Sequence, residues 1–115
     1  MKVARGRRYP AVVAALLVFV ALTPVGRAEE DTERLNRGKA IVTKNCAPCH
    51  AVGREGKSPH PEALPFRLIG RRYPVESLEE ALGEGIISGH PDMPEFVFSG
   101  EDVGAIIAYL KSIQE

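Results

Sequence analysis

Two cysteines stand in this sequence, Cys46 and Cys49, and His50 follows the second directly: Asn45-Cys46-Ala47-Pro48-Cys49-His50. No other feature restricts the chain so strongly. Two thiols three positions apart and an adjacent imidazole place three soft, nucleophilic or metal-ligating groups on one short turn. A disulfide between the thiols would close too small a loop to remove much chain entropy, so it would stabilise little. The three groups therefore call for a partner beyond themselves, and the remaining residues must fold around it.

With 115 residues the chain has room for one domain. Its zero formal charge hides an asymmetry. Residues 1–28 carry Lys2, Arg5, Arg7, Arg8 and Arg27 and no acid, whereas residues 29–115 carry ten Lys and Arg against fifteen Asp and Glu, a net charge of −5. The first part has the three-part pattern of a secretory leader. A basic start precedes the apolar run Ala11–Leu22, Pro24 ends it, and Gly26 and Ala28 are small residues at the −3 and −1 positions of a cut after Ala28. The run falls short of the ~20 apolar residues a spanning helix needs. The expected organisation is a signal peptide over 1–28 and a working domain over 29–115, with an uncleaved N-terminal anchor as the alternative. Export would deliver the domain to an oxidising compartment. An acidic domain is a poor partner for nucleic acid or an anionic membrane surface.

Glu29 to Asn45 reads as a helix, with acids in its first turn, Lys44 near its end, and Leu35, Gly38, Ile41 and Val42 on one face. A mid-helix glycine costs about 1 kcal/mol relative to alanine, so Gly38 implies a second backbone crossing closely. Residues 51–72, with six Gly and Pro, read as a long loop that wraps something. Pro74 reads as the first residue of a second helix, with Val75, Leu78, Ala81 and Leu82 inward and Glu76, Glu79, Glu80 and Glu84 outward. Residues 86–98 form another loop. Ser99 caps a last helix, with Asp102 three positions on, and Val103, Ile106, Ile107, Leu110 and Ile113 form its inner face beside Tyr109. The expected fold is all-α: three main helices tied by long Gly/Pro-rich loops. Seven aromatics in the whole chain leave a thin core, and domains of this size are marginal on apolar burial alone.

Cys46-Ala-Pro-Cys49-His50 matches the attachment motif of c-type haem. Two thiols at this spacing can both bond one porphyrin edge as thioethers, and the adjacent imidazole then meets the iron. A covalently held macrocycle would also supply the missing apolar bulk. The rivals are a zinc site completed by His60 or His90, which lacks a second ligand pair, a redox dithiol, which expects a βαβ setting, and the disulfide above. Haem iron has a second axial position. Met93 is the single methionine of residues 29–115 and lies between Pro91 and Pro94 in a polar loop, where a thioether has little reason to be a core filler. Met/His ligation raises the reduction potential. His90 is the nearer competitor and His60 a more distant one. Both read more simply as surface loop histidines.

On these residues the domain resembles the class I cytochromes c, and most of all the single-haem periplasmic cytochromes of bacteria. The resemblance rests on Cys46-Ala-Pro-Cys49-His50, on Met93-Pro94 and on the terminal Ile106-Ile-Ala-Tyr-Leu-Lys-Ser-Ile113, and runs from Leu35 to the C-terminus. It implies the small cytochrome c fold around one haem c with its iron, bound through Cys46 and Cys49 and ligated by His50 and Met93. It implies a crossing of the first and last helices where Gly38 meets Tyr109, although Val42 replaces a frequent aromatic. It implies a proline-loop carbonyl, from Pro65 or else Pro61, that orients the His50 ring. Arg67, Arg71, Arg72 and Tyr73 are the expected propionate contacts, or else surface groups. The implied role is a monomeric periplasmic electron carrier, not an enzyme, serving a redox donor and acceptor with no stable membrane insertion after leader cleavage. Docking through a lysine ring does not fit a domain with four lysines and a net charge of −5. A haem-bearing subunit or anchored cytochrome held to a dehydrogenase or oxidase, or a haem-based sensor of small ligands, are the alternatives.

Overall fold

The computed structural model describes residues 25–85 and 92–115, and among them three α-helices and two short 3₁₀ segments make up the regular structure, with no strand. The expected leader lies outside the described residues up to position 24, as do His90 and Pro91. No helix among the described residues is long and apolar enough to cross a membrane.

Helix α1 spans Val25–Asn45, starting four residues earlier than its acids imply. Arg27 and Ala28 are good helix formers, so nothing halts the helix at Glu29. The first turn consequently holds no acid, and Glu29, Glu30 and Asp31 stand in the second. Lys44 occupies the last turn as expected. Gly38 and Val42 are buried, and Leu35 and Ile41 half-buried, along one face.

Helix α3, Gly100–Ser112, crosses that face. Gly38 is the crossing point. A Cβ built there would run into the Ala105 carbonyl, 2.6 Å from its carbon, and would lie 2.9 Å from Tyr109 Cβ. The glycine therefore gives up helix propensity so that two backbones can touch. The inner face of α3 carries Val103, Ile106, Ile107, Leu110 and the following Ile113, all buried, and Tyr109 is buried with them.

Ser99 caps α3: Asp102 N–H donates to Ser99 Oγ at 3.2 Å, and Ser99 Oγ donates to Asp102 Oδ2 at 3.0 Å. Arg37 of α1 reaches across to pair with Glu101 and Asp102. The hydrogen bond from Arg37, then the one from Ser99, hold the Asp102 carboxyl below its ordinary value. A depressed carboxyl contributes stability above its unfolded pKa and loses it as pH falls through the folded value. Asp102→Asn is thus expected to lower the unfolding midpoint at pH 7 and to flatten its fall below about pH 4. Parallel wild-type and variant pH curves would remove Asp102 from the acid response.

The connection after α1 is less loose than its composition implies. Its end, Phe66–Arg71, is a 3₁₀ segment with Ile69 buried. Phe66 N–H donates to Ala51 O at 2.9 Å, and Ala51 N–H donates to Ser58 Oγ at 3.0 Å. The C-terminus stitches the same segment down, with Gln114 Nε2 donating to Phe66 O at 2.9 Å and Tyr109 OH to Val52 O at 2.8 Å.

Pro74 does not begin an α-helix. It precedes a 3₁₀ turn, Val75–Ser77, and α2 covers only Leu78–Glu84. Of the expected inward residues Val75 is buried, while Leu78, Ala81 and Leu82 are half-buried, and the four glutamates face out. Gly85 ends α2 at φ 78°, a left-handed cap that suits glycine. The chain then returns alongside α2, with Phe98 N–H donating to Leu82 O at 2.9 Å. The core stays small: Leu110 and Val42 are the largest side chains under 2% exposed.

Candidate functional site

Pro48 prevents the helix from continuing beyond α1, and the chain tightens into a turn. Cys46 N–H and Ala47 N–H both donate to Val42 O, at 2.8 and 3.1 Å, while Cys49 N–H and His50 N–H both donate to Cys46 O, at 3.1 and 2.8 Å. This winding brings Cys46, Cys49 and His50 to the wall of one cleft. Met93, Pro94 and Phe96 line the same cleft from the returning segment, and His60, Glu62 and Ala63 line it from the loop after the motif. The four residues expected from sequence to hold a cofactor are thus together, although no local spacing places Met93 near the others.

The histidine is positioned from behind. His50 Nδ1 lies 2.7 Å from Leu64 O. A carbonyl only accepts, so Nδ1 carries the proton and Nε2 keeps its lone pair. The orienting carbonyl belongs to Leu64, not to Pro65 or Pro61 as expected. The sequence signal was one residue off, because proline fixes the residue before it in an extended conformation and so aims that residue's carbonyl. The Phe66 ring packs against His50 with centroids 4.6 Å apart, a support that no motif announced. Phe96 is likewise unannounced. It stacks on Phe98 at 5.7 Å, which ties the cleft wall to the core.

No disulfide joins Cys46 and Cys49. Burial, then the neighbouring Cys49, push the Cys46 thiol up to about 11. A redox dithiol needs a lowered thiol pKa and a strand context. Cys46 is shifted the opposite way, and no strand stands among the described residues. No cluster of three His, Cys, Asp or Glu side chains among the described residues could hold a metal ion, which disfavours zinc.

The other expected contacts lie elsewhere. Arg67 donates to Gly56 O at 2.9 Å and pairs with Glu115 at 3.1 Å, and Arg71 pairs with Glu115 at 3.6 Å. Neither lines the cleft, nor do the exposed Arg72 and Tyr73. Of these four, Arg67 and Arg71 hold the C-terminus through Glu115, and Arg72 and Tyr73 stand exposed on the surface. His60 is no plain surface histidine either, since it forms part of the cleft wall.

The arrangement fits haem c. Two thiols and an imidazole with a directed lone pair share one wall, a thioether stands on the segment that forms another, and Pro48, Ala63, Pro94 and Phe96 supply apolar surface between them.

Comparison with known proteins points the same way. The family described as cytochrome C oxidase, cbb3-type, subunit III matches residues 33–110. The chain is 30% identical to a cytochrome c6 of Picosynechococcus, over 87% of this chain and 86% of that protein. It is 30% identical to a cytochrome c-552 of Bradyrhizobium diazoefficiens, over 67% of this chain and 72% of that one. It is 35% identical to a cytochrome c oxidase subunit 2 of Alkalihalophilus pseudofirmus over 75% of its own length, but spans only 28% of that relative. No solved structure matches the chain.

Proposed function

Because the chain belongs to the class I c-type cytochromes, with one covalently bound haem c and its iron, we propose that it is a single-haem carrier that shuttles electrons one at a time between periplasmic or membrane redox partners. The observation that carries this reading is the single cleft lined by Cys46, Cys49, His50 and Met93. Haem supplies the one-electron ferric–ferrous couple. Cys46 and Cys49 would hold it as thioethers, and His50 would offer Nε2 to the iron while Leu64 O keeps the ring from turning. The Met93 sulfur would supply the second ligand, which favours the ferrous state. Pro94 and Phe96 would give the macrocycle apolar surface on the ligand side. With His50 and Met93 both committed to holding the iron, no place would be left there for a substrate, which supports a carrier and not an enzyme.

The leader reading complements this. A cut after Ala28 would trim the start of α1 and leave a helix opening on Glu29, Glu30 and Asp31, where the helix dipole favours acids. The product would be a soluble periplasmic protein.

Met93→Ala tests the ligand assignment. The variant is expected to retain haem through acid–acetone extraction, to show a lower reduction potential, to lose the weak far-red band of ferric iron–thioether bonding, and to bind added carbon monoxide. An unchanged potential would withdraw Met93 as the ligand.

Two of the comparisons favour a second reading, since the matched family and one relative are named as oxidase subunits. The same domain would then be held permanently in a membrane complex. Fractionation decides between the two: a soluble periplasmic chain beginning at Glu29 supports the shuttle, and a membrane-bound chain that keeps its leader supports the subunit.

A further inference from the structure

His60 joins the two sides of the cleft. Its backbone N–H donates to Cys49 O at 3.1 Å, so its position is set by the cysteine motif itself. Its carbonyl accepts from Ala63 N–H at 3.1 Å, which closes a turn. Glu62 N–H donates to its Nδ1 at 3.3 Å, so in the neutral ring the proton sits on Nε2. Nε2 lies 3.3 Å from Asp92 Oδ2, thirty-two positions along the chain and immediately before Met93. Both ring nitrogens are engaged, which disfavours His60 as a rival iron ligand. The His60 side chain is 34% exposed and that of Asp92 74%, so the pair adds little to global stability. Its place is what gives it weight. Beyond Met93 the segment is anchored by Phe98 N–H on Leu82 O and by the Phe96–Phe98 stack. Directly before Met93, Asp92 on His60 ties the segment to the motif side.

We propose that His60 is a positioning residue: by donating Nε2–H to Asp92 it fastens the methionine segment to the Cys46–His50 turn and keeps the Met93 sulfur at the iron. The proposal rests on the reading of Met93 as the second ligand. A fastener of this kind acts on the rate at which the methionine leaves the iron, so it tunes how readily outside ligands enter while the rest of the fold stays closed.

The test uses the haem-loaded ferric protein and follows imidazole binding by loss of the far-red band, with the global unfolding midpoint measured alongside. His60→Ala and Asp92→Ala are each expected to speed imidazole entry by about three- to tenfold, the factor one hydrogen bond is worth, while the global midpoint moves little. The double variant should be no faster than either single one, because both remove the same bond. Asp92→Asn retains an acceptor oxygen for Nε2–H and is expected to stay near the wild-type rate. Wild-type rates in both alanine variants, or effects that multiply in the double variant, would overturn the fastener. An Asp92→Asn variant as fast as Asp92→Ala would also overturn it, assigning the effect to charge. A wild-type protein with no far-red band would instead defeat the Met93 reading, so the two failures are distinguishable.

Discussion

Replacing Cys46 and Cys49 together with alanine is expected to yield a chain that keeps no haem through acid–acetone extraction and loses most of its helical circular dichroism. The first outcome follows from the chemistry, since without either thiol no thioether can form. The second follows from the packing. A domain of this size holds only ~5–10 kcal/mol of net stability, and small domains bury too little of their surface to reach even that easily. Here α2 contributes no fully buried residue, and Leu110 and Val42 are the largest side chains under 2% exposed. The walls of the cleft, among them Met93 at 37% exposure, gain apolar contact only when the macrocycle lies between them. Single replacements leave one thioether and are expected to fall between the wild type and the double variant. A double variant that folds cooperatively without haem would show that the protein core suffices alone, and the reasoning from its thinness would fail.

Gly38→Ala is expected to destabilise the protein by about 1–2 kcal/mol, even though alanine is the better helix former. Propensity favours the change by about 1 kcal/mol. Against it stands overpacking, typically about 1–3 kcal/mol, here at the upper end. The added Cβ meets the Ala105 carbonyl group and Tyr109 Cβ, which are rigid parts of α3, so the helices must separate. The thermal midpoint should fall by roughly 5–15 °C. Gly104→Ala is the control. A Cβ there meets the far end of the Arg34 side chain at 2.9 Å, which can swing away, so this variant should match or exceed the wild type. Equal midpoints for Gly38→Ala and the wild type would mean that α1 and α3 do not cross backbone to backbone.

Much of this site is legible in the residues themselves. The cysteine motif, the Ser99 cap and the inner faces of α1 and α3 depend on neighbours within one or two helical turns, where spacing alone sets the direction of a side chain. The cost of Gly38 even implies a crossing, because a residue that opposes its own helix needs a tertiary reason. Elsewhere the pattern misleads by small amounts. The helix expected from Pro74 begins as a 3₁₀ turn, since Pro74 itself sits at ψ 133°, outside the helical region. Helix α1 also runs four residues ahead of its acids, through the end of the expected leader.

Sequence alone determined which groups meet any cofactor first, because Cys46, Cys49 and His50 belong to one turn whose hydrogen bonds close within five residues. It also marked Met93 as the odd sulfur in a stiff polar loop. Only the tertiary structure decided which carbonyl fixes the histidine, fourteen positions away at Leu64, and which ring joins the methionine side, thirty-two positions from Asp92 to His60. It also showed that Arg67 and Arg71 serve the C-terminus. The reason is physical. Gly/Pro-rich connections carry no periodicity to aim a side chain, so where they lead is set by the core they close around.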